Sequence, residues 1–251
     1  MSDTIERFSN RVENYVKYRP GYRKEVLDLF KIEMNLRENS VVADIGSGTG
    51  ISARLFLENG NEVFGIEPNA LMRKAAEDFL HGFPKFKSID GTAENTNLPA
   101  NSVDFIIAAQ AFHWFDKEKT RPEFKRILRE SGFVVLIWNE RQLDSTLFLR
   151  EYEELLKKFG TDYEKVRHDK IDKENLKDFF QSEFSSKTCL NAQILDFEGL
   201  KGRMLSSSYM PSETDSRFEP MVIELHRLFD KYAESGKIQL LYNTNIFYAR
   251  L

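Results

Sequence analysis

A chain of 251 residues, 41% hydrophobic and 30% charged, has the composition of one large globular domain or of a core with a substantial insertion. It excludes the disordered, collagen-like and low-complexity classes. Thirty-six basic residues against 40 acidic give a net charge of −4, which argues against nucleic acid as a partner. A single cysteine, Cys189, leaves no internal disulfide and no cysteine-based zinc site, and the polar opening MSDTIERFSN does not read as a signal peptide. The longest clean apolar run, Phe133 to Trp138, is too short to span a membrane, so a cytoplasmic protein without a membrane partner is expected.

Ile5, Phe8, Val12 and Tyr15/Val16 fall on one face at helical spacing, and Pro20-Gly21 ends that helix. A second helix is predicted from Tyr22 to about Asn35. The period then changes. VVADI (Val41 to Ile45), EVFGI, FKSID, VDFIIAAQ and FVVLIW read as five buried strands. Between them stand a helix over ISARLFLENG, a helix from Ala70 to Leu80 with Asn69 as its cap, and a helix opened by Thr120-Arg121-Pro122-Glu123 in capping-box form and running to Glu130. Strands alternating with helices over 41–138 predict an α/β fold, an open doubly wound sheet with parallel pairing. Beyond Trp138 the chain is charged and helical over 140–182, strand-like near 187–197, helical to Leu205 and again from Phe218 to Ala233, and strand-like to its end.

The most informative stretch is Asp44-Ile45-Gly46-Ser47-Gly48-Thr49-Gly50, which joins a strand to a helix. Glycines let backbone approach a ligand, and the helix start offers unpaired N–H groups and a positive dipole end. The third position of a dinucleotide fingerprint is the bulky Ile51, and no Gly-Lys-Ser/Thr follows as a P-loop requires. Glu67 ends the second strand, where an acid can accept both hydroxyls of a ribose.

This glycine turn, with its acid on the next strand, resembles the first two motifs of class I S-adenosylmethionine-dependent methyltransferases. The segment Gly91 to Asp116, the opening YVKYRPGY and the later SSSYMP resemble the methyltransferase type 11 group and its trans-aconitate methyltransferase-like relatives. The resemblance implies a Rossmann-like, seven-stranded sheet, mostly parallel with an antiparallel C-terminal strand, and a mainly helical cap. It implies a single methyltransferase domain: 1–40 over the cofactor, 41–138 as the cofactor-binding core, 139–215 as cap and sixth strand, and 216–251 as last helix and strand. The cofactor implied is S-adenosyl-L-methionine, with S-adenosyl-L-homocysteine as product.

Carried over by position, Asp44, Gly46, Ser47, Gly48, Thr49 and Gly50 would hold the methionine end of that cofactor and Glu67 its ribose. Asn69 and Met72 would flank the adenine, with Thr92 and Ala93 opposite. Gln110 and Ala111 would close over the methionine portion, and Tyr15 and Arg19 would reach in from the N-terminal segment. Thr92 stands where the family often has an acid, and Glu130-Ser131-Gly132 stands where many members have Pro-Gly-Gly.

His81, His113, His168 and His226 lack metal-ligand spacing, so no metal is expected. His113 follows the fourth strand, where ligands bind in such sheets, and is the candidate catalytic base. Trp114, Arg141, Tyr209 and Tyr242 are candidate acceptor-binding residues, Arg141 as an anchor for an anion. The expected reaction is methyl transfer to an oxygen, nitrogen or carbon of a small-molecule acceptor, a carboxylate among the candidates, by a monomer or homodimer. The alternatives are a nucleic-acid or protein methyltransferase and a non-catalytic S-adenosylmethionine-binding module. Ile51 weighs against a nicotinamide dehydrogenase.

Overall fold

The computed structural model describes residues 17–161, 163 and 173–251. The expected first helix and Tyr15 lie outside them. In chain order the elements are α1 (Lys24–Met34), β1 (Val41–Ile45), α2 (Ile51–Glu58), β2 (Glu62–Ile66), α3 (Ala70–Phe79), β3 (Phe86–Ile89), β4 (Val103–Ala109), a short 3-10 turn (Phe112–Trp114), α4 (Lys117–Ile127), β5 (Leu128–Arg141), α5 (Leu147–Phe159), α6 (Lys173–Phe180), β6 (Ser185–Leu195), α7 (Phe197–Leu205), α8 (Phe218–Tyr232) and β7 (Ile238–Ala249). The seven strands form one sheet in the order β3-β2-β1-β4-β5-β7-β6. Strands β1 to β5 pair in parallel, and the C-terminal strands are antiparallel. The strand order reverses between β1 and β4, the position at which doubly wound sheets bind ligands.

The described chain divides into two compact units. One takes 21–139, 173–189 and 244–251; the other takes 17–20, 140–161, 163 and 190–243. In the first, alternate residues of β1 enter opposite cores, as a strand covered on both faces requires. Val42 joins Val26 and Phe30 of α1, Phe56 of α2 and Phe105 of β4. Ala43 and Ile45 join Phe112, Phe124 of α4 and Phe179 of α6. Phe30 sits edge-on to Phe56 at 5.1 Å between ring centroids and tilted to Phe105 at 5.8 Å, geometry that adds to the area term. Cys189 packs against the first of these cores as a small apolar side chain. The second unit has its own core, in which Leu149, Tyr152 and Leu156 of α5 meet Leu200 of α7 and Met221 and Leu225 of α8.

Asn69 caps α3 as expected, its side chain accepting from Leu71 N at 2.9 Å and Met72 N at 3.3 Å. Asn69→Ala is expected to lower stability by about 1 kcal/mol, read as an earlier urea midpoint at unchanged slope.

The boundaries of α4 and β5 differ from the sequence reading. Helix α4 begins at Lys117, not at Thr120, because Asp116 caps it by accepting from Lys119 N. Glu123, expected to reach back to Thr120, instead accepts from Thr96 N at 2.9 Å and from Arg126 Nε at 2.7 Å. The same helix ends at Ile127, short of Glu130, because β5 starts at Leu128. The pairing of β5 with β4 jumps from Val103↔Leu128 to Phe105↔Phe133, so residues 129–132 form a bulge. Among the described residues no helix is long and apolar enough to cross a membrane.

Candidate cofactor site

The site is built where β1 ends. Asp44 lies in register with Gly65 of β2 on one side and Ile107 of β4 on the other, which fixes it in the middle of the sheet. The chain then turns through Gly46 (φ +67°), Gly48 (φ +55°) and Gly50 (φ +82°) into α2. A Cβ on Gly46 would stand 2.6 Å from Ala111 Cβ, so only glycine allows this turn to meet the segment after β4. At Gly48 an added Cβ would meet nothing within 4 Å: the apex of the turn faces open space. Gly46 N and Ser47 N both donate to Ile66 O, at 2.8 and 3.1 Å, and tie the turn to the end of β2.

Asp44 is fully buried. Its Oδ2 accepts from Ser52 Oγ at 2.6 Å, whereas Oδ1 has no hydrogen-bond partner among the described residues. Burial pushes the Asp44 carboxyl up to about 7, against the Ser52 hydrogen bond, and the nearby Glu67 charge adds to the rise. Thr49 is buried too, and its Oγ1 is likewise without a partner among the described residues. Buried polar atoms are normally satisfied, so two such atoms at the end of β1 and in the turn after it make this a candidate ligand site.

Glu67 follows the last residue of β2. Its Oε2 accepts from Gly48 N at 3.0 Å and its Oε1 from Asn69 N at 2.9 Å. Burial raises the Glu67 carboxyl above its usual range, opposed by those two backbone donors and by Arg73. A carboxylate offers about four acceptor positions, so two remain for a diol. Asn69 and Met72 are buried at the start of α3, and Ala93 is buried in the segment after β3. Thr92 closes a local turn with Asn95, each N–H donating to the other's carbonyl.

After β4 the backbone bends sharply at Gln110, whose φ of +60° is unusual outside glycine. Gln110 is held there by Gln110 N donating to Ile137 O at 2.9 Å and Nε2 donating to Asn139 O at 3.0 Å. Ala111 then precedes the 3-10 turn that carries His113 and Trp114, their rings 4.6 Å apart. Trp114 is 41% exposed, a large aromatic surface left facing outward.

The first unit therefore holds together Asp44, the glycine turn, Glu67, Asn69, Met72, Thr92, Ala93, Gln110, Ala111, His113 and Trp114. Arg19, Arg141, Tyr209 and Tyr242 belong to the second unit. There Arg19 Nη2 donates to Ser206 O at 3.1 Å, and Tyr209 packs edge-on to Tyr163 at 5.0 Å. Arg141 forms an ion pair with the buried Glu153, and Tyr163 Oη also donates to that carboxylate, at 2.6 Å. The Arg141 charge, read from the sequence as an anion anchor, is thus neutralised within the protein. Arg141 also borders a cleft of about 590 Å³ with Gln142, Arg150, Lys157 and Asn243.

Several residues of the site carry no sequence signal. Arg73 donates to Glu67 O at 2.7 Å and pairs with Asp90 at 3.0 Å, joining the ends of β2 and β3. Ser52 reaches Asp44 from α2. Asn139 Oδ1 accepts from the buried Thr244 Oγ1 at 2.5 Å, and its Nδ2 donates to Gly21 O at 3.3 Å. The only cue to these is a polar residue in an apolar stretch.

Comparison with known proteins follows the same lines. A family described as a methyltransferase domain matches residues 43–136. An uncharacterized methyltransferase of Mycobacterium tuberculosis is 35% identical over 161 residues, 64% of this chain and 61% of that protein. An uncharacterized methyltransferase of Schizosaccharomyces pombe is 27% identical over 155 residues, 60% of this chain and 59% of that one. The matched stretch thus spans about three-fifths of these relatives' length. Among solved structures, a putative type II methyltransferase from Anaeromyxobacter dehalogenans superposes with a TM-score of 0.68 at 17% identity, over 93% of this chain and 98% of that one. A putative methyltransferase from an antibiotic biosynthesis pathway of Anabaena variabilis does so with 0.62 at 23% identity, over 94% and 99%. The glycine turn, Glu67 and the Gln110 bend all fall inside residues 43–136, the stretch that is similar to the methyltransferase-domain family.

Proposed function

We propose that the protein is an enzyme that transfers a methyl group from S-adenosyl-L-methionine to a small-molecule acceptor and releases S-adenosyl-L-homocysteine. The observation that carries this reading is the pair of buried atoms in the glycine turn, Asp44 Oδ1 and Thr49 Oγ1, that have no partner among the described residues, beside a turn apex open at Gly48. The residues present fit the cofactor. Asp44 would take the cationic amino group, Thr49 and Ser47 the methionine end, and Glu67 the ribose hydroxyls. Asn69 and Met72 would flank the adenine, opposite Thr92 and Ala93.

When bound, the sulfonium supplies an activated methyl group. The chain's own residues supply position and dryness. The Gln110 bend, held by Ile137 and Asn139, sets the segment that carries Ala111 to Trp114. Fixing an acceptor against the methyl in this way is worth on the order of 7–11 kcal/mol of barrier. His113 would accept a proton from an acceptor hydroxyl on Nε2, since Nδ1 is buried. Trp114 would contribute its ring face to the cationic centre.

The test is calorimetric titration of S-adenosylhomocysteine into the purified chain, followed by a screen of small carboxylates, phenols and amines for S-adenosylhomocysteine release. Saturable binding and turnover of at least one small acceptor are expected. Absence of binding would refute the reading.

A further inference from the structure

Arg203 is a second arginine of the second unit, and its setting is the reverse of Arg141's. It lies on α7, deep among protein atoms, with Tyr242, Tyr152 and Tyr209 as its electrostatic neighbours, yet part of its surface remains accessible. Its Nε donates to Tyr242 Oη at 3.2 Å. Its Nη1 lies 3.4 Å from Ser206 Oγ and 3.3 Å from Ser207 Oγ. Among the described residues no carboxylate pairs with it, and Nη2 makes no hydrogen bond.

A guanidinium stays charged at every working pH, and a charge set among aromatic side chains is costly unless an opposite charge meets it. Arg141, 5.2 Å from the Tyr152 ring, solves this with Glu153. Arg203 has only hydroxyls, and those hydroxyls are themselves fixed. Tyr242 Oη donates to Gln193 Oε1 at 2.8 Å, Gln193 Nε2 donates to Tyr18 O at 3.0 Å, and Ser206 Oγ donates to Arg203 O at 2.7 Å. The arginine is thus held in place by β6, β7 and the segment 17–20 while its charge is left for something else.

We propose that Arg203, through the Nη2 edge of its guanidinium, binds the single carboxylate group of a small organic anion. This anion site does not depend on the methyltransferase reading. One arginine balances one negative charge and presents a planar fork suited to a carboxylate. A phosphate would bring a second charge with no partner. Tyr152, Tyr209 and Tyr242, the neighbours of that guanidinium, favour an anion with an apolar or aromatic body over a small hydrophilic one.

The test is calorimetric titration of benzoate, phenylacetate and 3-phenylpropionate, with phenylacetamide as the neutral control, into the full chain with and without saturating S-adenosylhomocysteine. At least one carboxylate is expected to bind wild type, with the amide binding at least ~30-fold more weakly. Arg203→Met is expected to lose about the same factor while binding S-adenosylhomocysteine as wild type does. Should thermal melting show Arg203→Met unfolded, Arg203→Lys decides, with an expected loss of about tenfold from the altered fork. Equal carboxylate binding by the folded variant, equal binding of the amide, or no carboxylate binding to wild type would overturn the proposal. Failure of wild type to bind S-adenosylhomocysteine would instead overturn the methyltransferase reading, and the titrations without it would still decide the anion site.

Discussion

Glu67→Ala is expected to weaken S-adenosylmethionine binding by about 10²–10⁴-fold. The magnitude follows from two hydrogen bonds to a charged acceptor, each worth about 1.5–3 kcal/mol. The effect has two parts. The carboxylate would no longer meet the ribose, and Gly48 N and Asn69 N, which it now accepts at 3.0 and 2.9 Å, would lose their acceptor. Because Gly48 is the apex of the turn, losing its anchor would also loosen the surface proposed to hold the cofactor. The sheet itself should survive, since Glu67 stands one residue beyond β2 and its loss leaves the pairing of Ile66 with Ile45 and Ile89 in place. Calorimetry and urea unfolding on the same preparation separate the two effects. Glu67→Gln keeps one acceptor oxygen and is expected to fall between wild type and alanine. An alanine variant that binds the cofactor as wild type does would remove Glu67 from the site.

The half of the fold that carries this site was legible because its signals are local. A buried strand of β-branched residues, a glycine turn and an amphipathic helix each declare themselves within ten residues, and Asn69 caps α3 with a side chain that bonds only two and three residues ahead. A local pattern misleads where it competes with a distant partner. Thr120 to Glu123 has the form of a capping box, yet Glu123 is engaged by Thr96, 27 residues away, and by Arg126. The bulge at 129–132 hides the start of β5 under charged residues, although a Cβ on Gly132 would stand 2.7 Å from Asp104 O and so marks the close approach. The site divides the same way. Asp44 and Glu67 follow from spacing along adjacent parallel strands. The Asn139–Thr244 bond joins residues 105 apart, and the Arg141–Glu153 pair depends on which face α5 turns inward. Neither is written in any short window. Arg203 is the sharpest case: its sequence context is an ordinary charged helix, and only the absence of a carboxylate partner among the described residues distinguishes it.

Asp44→Asn is expected to make the protein more stable at pH 8 and nearly unable to bind its cofactor. Burial holds the Asp44 carboxyl at about 7 in the folded chain, above its unfolded value of 3.8. The folded state therefore binds this proton more tightly than the unfolded state does. The stabilisation it gives is fully present below about pH 4 and is lost as pH rises through 7, where the buried carboxylate is ionised. At about 1.4 kcal/mol per pH unit, the cost at pH 8 is at most on the order of 4 kcal/mol. Asparagine carries no charge at any pH, so the variant should lack this slope: near wild type at pH 4, more stable by a few kcal/mol at pH 8, as read from urea midpoints at the two values. Cofactor binding should move the other way. The ionised form is the one that suits a cationic amino group, so wild-type affinity is expected to fall as pH drops below 7, and the asparagine variant to bind at least about 100-fold more weakly at pH 8. Stability gained and affinity lost at one atom would identify Asp44 as a charge kept buried for its ligand. A variant with the wild-type pH slope and wild-type affinity would show that another group titrates there and that the amino group is held elsewhere.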